Sequence, residues 1–284
     1  MKVLVTGAAG MVGRAVREHC AGIGDSVSAF DRNLLDIADY DAVMHVTERE
    51  KPDVIINCAA WTDVDGCESD QRRAFDANAR GPENLARASK LYGARFITIS
   101  TDYVFDGTKE GFYTQEDQPN PQSVYAVSKL QGEQLAAAAN ENVVIVRTGY
   151  VFGPRGRNFL STVVQRARAG ETLLAINDTF GTPTYARDLA NRLRELATVN
   201  HPGIYHVANY GGGASFEQFA REALALAGID GDVRPVSMDS MRRPAPRPKN
   251  SRLRCLLSEA VGLPYMPDWR SSLMAFVNQD EAGR

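Results

Sequence analysis

The chain has 284 residues, with 32 Lys and Arg against 35 Asp and Glu and a formal net charge of −3. That balance excludes a basic stripe for nucleic acid and a polybasic patch for membrane lipid. The length suggests about two domains, the 44% hydrophobic content suffices for a sizeable core, and no apolar run approaches the roughly 18 residues of a membrane span.

The opening MKVLVTGAAG is broken by glycine too early to read as a secretory signal. Lys2–Thr6 reads as a first strand, followed by a helix near Gly10–Gly22. Ser26–Asp31 and Asp53–Cys58 read as strands, with helices near Asp39–Glu50 and Asp70–Tyr92 behind them. Between Asp63 and Asp70 the acidic run DVDGCESD places its glycine wrongly for a calcium loop and reads as a solvated loop entering a helix. Next come the strand RFITIS, a loop, a helix over about Ser123–Ala139 and the strand Asn142–Thr148. Strands apolar on both faces, alternating with helices, imply a parallel sheet covered on both sides by right-handed crossovers.

After Gly149 the pattern changes. RGRNFLSTVVQRARAG reads as a helix and ETLLAIND as a strand; YARDLANRLRELA is an amphipathic helix and GIYHVA a strand. A helix in GGGASFEQFAREALALAG, a strand at DVRPVS, a Pro/Arg-rich loop and two short helices complete the chain. The expected class is therefore α/β, a Rossmann-type doubly wound parallel sheet with a smaller C-terminal substrate-binding lobe. The sheet domain is expected over residues 1–150 plus about 183–209, and the lobe over 151–182 and 210–284. Cys20, Cys58, Cys67 and Cys255 show no zinc or redox spacing and read as reduced thiols of a cytoplasmic protein. The scattered histidines suggest no metal site.

GAAGMVG, directly after the first strand and opening the first helix, carries Gly7, Gly10 and Gly13 with Met11 and Val12 between them. Such glycines permit a tight turn, close backbone approach to a pyrophosphate and close helix–sheet packing, and the helix N-terminus favours the anion. Asp31 ends the second strand where a carboxylate binds the adenosine ribose of NADH, while Arg32 beside it suits the 2′-phosphate of NADPH. Both cofactors stay open, with Asp31 tilting the reading to NADH. Ala60, Trp61 and Thr62, after the third strand, line the path toward the nicotinamide.

Tyr125 and Lys129 stand four residues apart on a predicted helix, so they share a face. An ammonium beside a phenol favours its ionised form and makes it a usable proton donor or acceptor. The fourth strand delivers Ser100, Thr101 and Asp102 to the same sheet edge, where ligands of such sheets bind. Thr101 can bond a substrate oxygen beside Tyr125, and Asp102 can accept from a substrate hydroxyl. Tyr103, Val104 and Phe105 keep the rim apolar.

GAAGMVG, STDYVFDG and YAVSKLQGE together resemble the extended short-chain dehydrogenase/reductases, most nearly those acting on nucleotide-linked 4-keto-6-deoxy sugars. LDI (Leu35–Ile37), PDVIINCAAWTDVD, INDTFGTPT (Ile176–Thr184), GIYHVAN and RPKNSRL (Arg247–Leu253) extend the resemblance through nearly the whole chain. It implies reduction of the C4 ketone of dTDP-4-dehydro-L-rhamnose by NADPH or NADH. It also implies Tyr125 as proton donor, Lys129 tuning it and Thr101 assisting. Asp36 and Ile37 would approach the adenine, and Thr101, Asp102 and Tyr150 the sugar. The family often has Trp where Tyr150 stands; Tyr keeps the aromatic platform and adds a hydroxyl. Some relatives carry glutamate just after Gly13, where this chain has Arg14 and Ala15, which speaks against a metal-bridged dimer through that helix. A homodimer without metal is compatible with the sequence. The arginines between Arg242 and Arg254 read either as a flexible surface connection or as contacts to the substrate diphosphate. A reductase of another nucleotide ketosugar is the second reading. A non-catalytic subunit similar to the regulatory subunit of methionine adenosyltransferase is the third. A sugar-nucleotide epimerase suits STDYVFDG less well.

Overall fold

The computed structural model describes residues 1–199 and 201–282. Among them, six parallel strands form the central sheet: β1 (Lys2–Thr6), β2 (Ser26–Phe30), β3 (Val54–Asn57), β4 (Arg95–Thr101), β5 (Val143–Thr148) and, later in the chain, β9 (Gly203–His206). Their spatial order is β2-β1-β3-β4-β5-β9. The chain first steps from β1 to β2, then crosses to β3 and runs the other way, which puts a switch point between β1 and β3.

Period-2 alternation assigns each strand side chain to a face. Val3, Val5, Ile56, Ile97 and Val146 pack with α1 (Met11–Gly22) and α8 (Ala186–Val199). Leu4, Ile55, Phe96 and Ile145 pack with α2 (Tyr40–Glu50), α5 (Gly81–Tyr92) and α6 (Val124–Ala139). Side-chain caps start these helices: Asp39 accepts from the Ala42 amide at 3.0 Å and Ser123 from the Ala126 amide at 3.2 Å.

A separate core gathers Phe152, Phe219, Trp269 and Phe276. It is built from β6 (Val151–Phe152), α7 (Phe159–Arg168), β7 (Leu173–Ile176), β8 (Thr184–Tyr185), α9 (Phe216–Leu226), β10 (Val233–Val236) and α11 (Trp269–Ala282), with β6 paired to β8 and β7 to β10. α9 carries a capping box, Ser215 with Gln218. No described helix is long and apolar enough to cross a membrane.

The structure differs from the sequence reading at several elements. DVDGCESD is not a solvated loop: Val64–Ser69 forms α3, capped by Asp63, with Cys67 fully buried. The helix expected over 70–92 is broken into α4 (Gln71–Phe75), a π-helical turn at Asp76–Arg80 and α5. The cause is Pro82. It has no N–H for the Asn78 carbonyl four residues back, and the chain widens to a bond from Gly81 to Asp76. Tyr185, expected in a helix, belongs to β8. Of the two final helices only α10 (Leu257–Ala260) is short; α11 spans 14 residues.

Asp25, in the α1–β2 turn, accepts from Arg194 of α8 at 2.5 Å and from the Met1 amine at 2.6 Å. The Arg194 guanidinium chiefly holds its carboxyl at about 2, below the ordinary 3.8. A depressed carboxylate stabilises the fold fully above the unfolded value, and that part is lost as pH falls through about 2. Asp25→Asn should therefore lower stability near neutrality and flatten the acid limb. Urea midpoints of both proteins across the acid range check this, and an unchanged limb contradicts it.

Candidate active site

The carboxyl ends of β1, β3 and β4 are tied together by side chains. Asn57 accepts from the Thr6 hydroxyl at 2.6 Å and from the Ala59 amide at 3.0 Å, and donates to Thr98 at 3.0 Å. This ladder fixes the edge on which the glycine turn sits. Gly7 has φ 65°, and a Cβ there would lie 2.6 Å from the Cys58 carbonyl and the Ala59 amide. A Cβ on Gly13 would lie 2.2 Å from the Gly7 carbonyl. These two positions bring the turn, helix and sheet together. Gly10 is exposed and leaves the outer surface of the turn bare. α1 then starts with no side-chain cap and no acidic residue in its first turn. Its first amides are thus left for an anion, which fits a dinucleotide pyrophosphate. Met11 and Val12 are half-buried there, and the Ser161 hydroxyl of α7 approaches the Met11 sulfur at 3.6 Å.

At the other end of this edge, one Asp31 oxygen accepts from its own loop, the Asn33 amide at 2.9 Å and the Leu34 amide at 3.2 Å. Arg32 and Asp36 are exposed and stand 3.8 Å apart. Ile37 is buried against Gly81, where a Cβ would lie 2.4 Å from its Cδ1. Asn84 donates to the Ile37 carbonyl at 3.0 Å. Ala60 and Thr62 are exposed, while Asn78 holds the Trp61 backbone from both sides, accepting its N–H at 2.8 Å and donating to its carbonyl at 3.0 Å.

The candidate reacting groups lie where β4 and α6 face one another. Tyr125 is buried and its ring meets Tyr103 edge-on at 6.2 Å. Burial raises the phenol above its ordinary value of 10, and the Thr101 hydroxyl beside it opposes the rise. The sequence-based expectation that Lys129 draws the phenol toward neutrality does not describe this state, because desolvation dominates. Lys129 is itself buried and donates to the Ile99 carbonyl at 2.6 Å. Desolvation lowers it to about 8 while Glu133 opposes the fall. One ammonium bond is used there, and up to two further donors remain.

Thr101 donates to Asp102 Oδ1 at 3.2 Å and accepts from the Tyr103 amide at 3.2 Å. Asp102 is 3% exposed, and among the described residues its Oδ2 has no hydrogen-bond partner. Burial pushes its carboxyl up to about 6, with the Ser251 and Thr101 hydroxyls pulling the other way. A buried acceptor left bare fits a ligand hydroxyl. The carboxylate lies against Gly149, where a Cβ would fall 2.2 Å from it. Tyr150 follows at φ 46°, its hydroxyl 3.3 Å from Thr179 Oγ1 and its ring 4.7 Å from Phe216. Gly181 is small because a Cβ there would strike that ring at 2.2 Å.

Three supports were not foreseen. Glu133, one turn beyond Lys129, binds Arg147 through Nε at 2.9 Å and Nη2 at 2.6 Å and accepts from Ser100 at 2.5 Å. Asn78 also donates to Ser128 at 3.1 Å, and its carbonyl occupies the space where a Gly132 Cβ would lie. Gly132 in the middle of a helix was the visible signal for that contact. The Arg-rich segment is no loose connection. Arg247 binds Asp65 at 2.7 Å, Arg252 lies over the rings of Phe112 and Phe180, and Asn250 donates to the Gly111 carbonyl at 2.8 Å.

Comparison with known proteins agrees along the whole chain. The family described as RmlD substrate binding domain matches residues 1–282. A dTDP-4-dehydrorhamnose reductase of Mycobacterium tuberculosis is 41% identical over 280 residues, covering 96% of this chain and 91% of that protein. A crystal structure of a dTDP-4-dehydrorhamnose reductase from Clostridium acetobutylicum superposes with a TM-score of 0.94 at 38% identity, covering 99% of this chain and 100% of that one. A Bacillus anthracis dTDP-4-dehydrorhamnose reductase in complex with NADP superposes with a TM-score of 0.94 at 34% identity, covering 98% and 99%. With this matched length and shared fold, the chain belongs to the RmlD family of extended short-chain dehydrogenase/reductases.

Proposed function

We propose that the chain reduces the C4 ketone of dTDP-4-dehydro-L-rhamnose to dTDP-L-rhamnose, using NADPH or NADH. The observation that carries the reading is a buried phenol beside Thr101, next to an Asp102 oxygen that has no partner among the described residues, on the edge that also bears the bare glycine turn. Named relatives of matching length support the choice of sugar nucleotide.

The bound reduced nicotinamide supplies a hydride. Tyr125, held neutral by burial, gives its proton to the oxygen that gains charge. Thr101 exchanges its long 3.2 Å bond to Asp102 for that same oxygen. Lys129 has donors free for a ribose hydroxyl of the cofactor. Asp102 accepts from a sugar hydroxyl, and Tyr150 offers its ring as a platform. Gly7, Gly10, Met11, Val12 and Gly13 cradle the pyrophosphate. Ala60, Trp61 and Thr62 flank the path to the nicotinamide, and Asp31, Arg32, Asp36 and Ile37 face the adenosine. The segments 151–182 and 210–284 form the sugar-nucleotide lobe in this reading, with β8 (Thr184–Tyr185) added to its core. Unpaired cysteines fit a cytoplasmic location, and sedimentation of the purified chain tests for a homodimer.

Following NADPH and NADH absorbance with a panel of dTDP- and UDP-linked 4-ketosugars tests the proposal. Oxidation with dTDP-4-dehydro-L-rhamnose is the expected result. No oxidation with any member, together with a stoichiometric partner enzyme in a pull-down, would favour the regulatory-subunit reading.

A further inference from the structure

Beyond the end of β2 lies a cavity of about 390 Å³ lined by Arg32, Asp36 and Ala38 from one segment and by Arg72, Arg73 and Asp76 from another. The two groups come from segments some forty residues apart in the chain, the β2–α2 loop and the α4 region. Its carboxylates are already engaged locally. Asp36 accepts from the Ala38 amide at 3.0 Å, and Asp76 pairs with Arg80 at 3.0 Å. Asp70, also at its rim, caps α4 by accepting from the Arg73 amide at 3.0 Å. Arg73 is occupied too, its guanidinium 4.3 Å from the centre of the Trp61 ring.

Arg32 and Arg72 are different. Arg32 is 63% exposed and reaches Asp36 only at 3.8 Å; Arg72 is 92% exposed and reaches Asp76 only at 3.6 Å. Both contacts are longer than a charge-assisted hydrogen bond, and exposed pairs of this kind hold little free energy. Two loosely held guanidinium groups thus border one cavity. Asp31, the rival group, spends one oxygen on the Asn33 and Leu34 amides of its own turn.

We infer that Arg72 is the second jaw of a clamp which, with Arg32, closes on the 2′-phosphate of NADPH and decides the choice between the two cofactors. The inference rests on the reading that this edge holds a dinucleotide, and it goes further by assigning selectivity to a residue from the α4 side. A guanidinium matches two phosphate oxygens at once, and two of them lining one cavity from separate segments fix the phosphate as well as neutralise it. NADPH is then the preferred cofactor.

Calorimetric titration of the purified chain with 2′,5′-ADP and with 5′-AMP tests this without any turnover. The unmodified protein should bind 2′,5′-ADP more tightly. Arg72→Gln should lower the ratio of the two affinities about tenfold, the scale of one lost charge-assisted pair. Arg72→Lys, which keeps the charge without the fork, should recover part of the loss. Equal affinity for both ligands in the unmodified protein overturns the inference, as does an unchanged ratio in Arg72→Gln. A retained 2′,5′-ADP preference in a protein that turns over no ketosugar supports the clamp while removing the reductase reading.

Discussion

Tyr125→Phe should cut ketosugar turnover by roughly 10²–10⁴, the usual span for losing a positioned proton donor, while NADPH binding stays close to normal. The substitution removes only the hydroxyl. The ring remains to pack with Cys67, Ala74 and Tyr103, so the edge keeps its shape. Burial keeps the phenol protonated at working pH, which makes the hydroxyl a donor and not a phenolate base. The neighbours are poor substitutes: Lys129 holds the Ile99 carbonyl at 2.6 Å and in this reading turns its other donors to the cofactor ribose, and the Thr101 hydroxyl is far too weak an acid to replace a phenol. Measuring kcat beside an equilibrium titration with NADPH separates the two effects. A near-normal kcat would remove Tyr125 from the chemistry, and a parallel loss of NADPH binding would make its role structural.

Glu133→Ala should destabilise the fold by about 3–5 kcal/mol, because it leaves a buried guanidinium without its counter-charge. Glu133 and Arg147 are 4% and 3% exposed, and the pair is bidentate. Ser100 adds a third bond to the same carboxylate, and Arg147 also lies 5.3 Å from the centre of the Phe105 ring. The pair therefore joins β4, β5 and α6 directly behind the reacting groups. Urea unfolding of the variant gives the loss. Replacing both partners, with Glu133→Leu and Arg147→Met together, should recover much of it, since apolar groups of similar volume carry no desolvation cost. A loss under about 1 kcal/mol in the single variant, the range of an exposed pair, would mean that water reaches the guanidinium. Glu133 also sustains the charge on Lys129 one helical turn away, so the variant should release the Lys129 proton at lower pH.

The sheet was legible because its strands carry β-branched and apolar residues on both faces. Val3, Leu4 and Val5 alternate between the two cores as a central parallel strand must. The site was legible where short motifs bind chemistry to backbone geometry: glycines at the β1–α1 turn, and a Tyr–Lys pair one helical turn apart. What escaped depends on contacts between distant segments. α3 is short, polar and contains Gly66, so no local preference reveals it; burial of Cys67 and the Asp65–Arg247 pair hold it in place. The π-helical turn follows from Pro82, yet its use, the Asn78 carbonyl against Gly132, needs the α6 helix alongside. The Arg-rich segment left a loose connection and a diphosphate contact equally open, because the carboxylate that anchors Arg247 is remote in sequence. Asp65 lies 182 residues from Arg247. The tuning of Tyr125 went the other way from expectation for the same reason: spacing along a helix reports a neighbour's charge, but not the desolvation imposed by the rest of the fold.

The most direct test of the central claim follows a label rather than a rate. The protein is supplied with NADPH carrying deuterium at the transferable position of the nicotinamide, together with dTDP-4-dehydro-L-rhamnose, and the product sugar is read by NMR. Deuterium bound to C4 of the product, with the C4 hydroxyl proton drawn from solvent, is the expected result. A product without label at C4, or a sugar returned unchanged while the cofactor stays reduced, would contradict the assignment of this edge as a ketosugar reductase site.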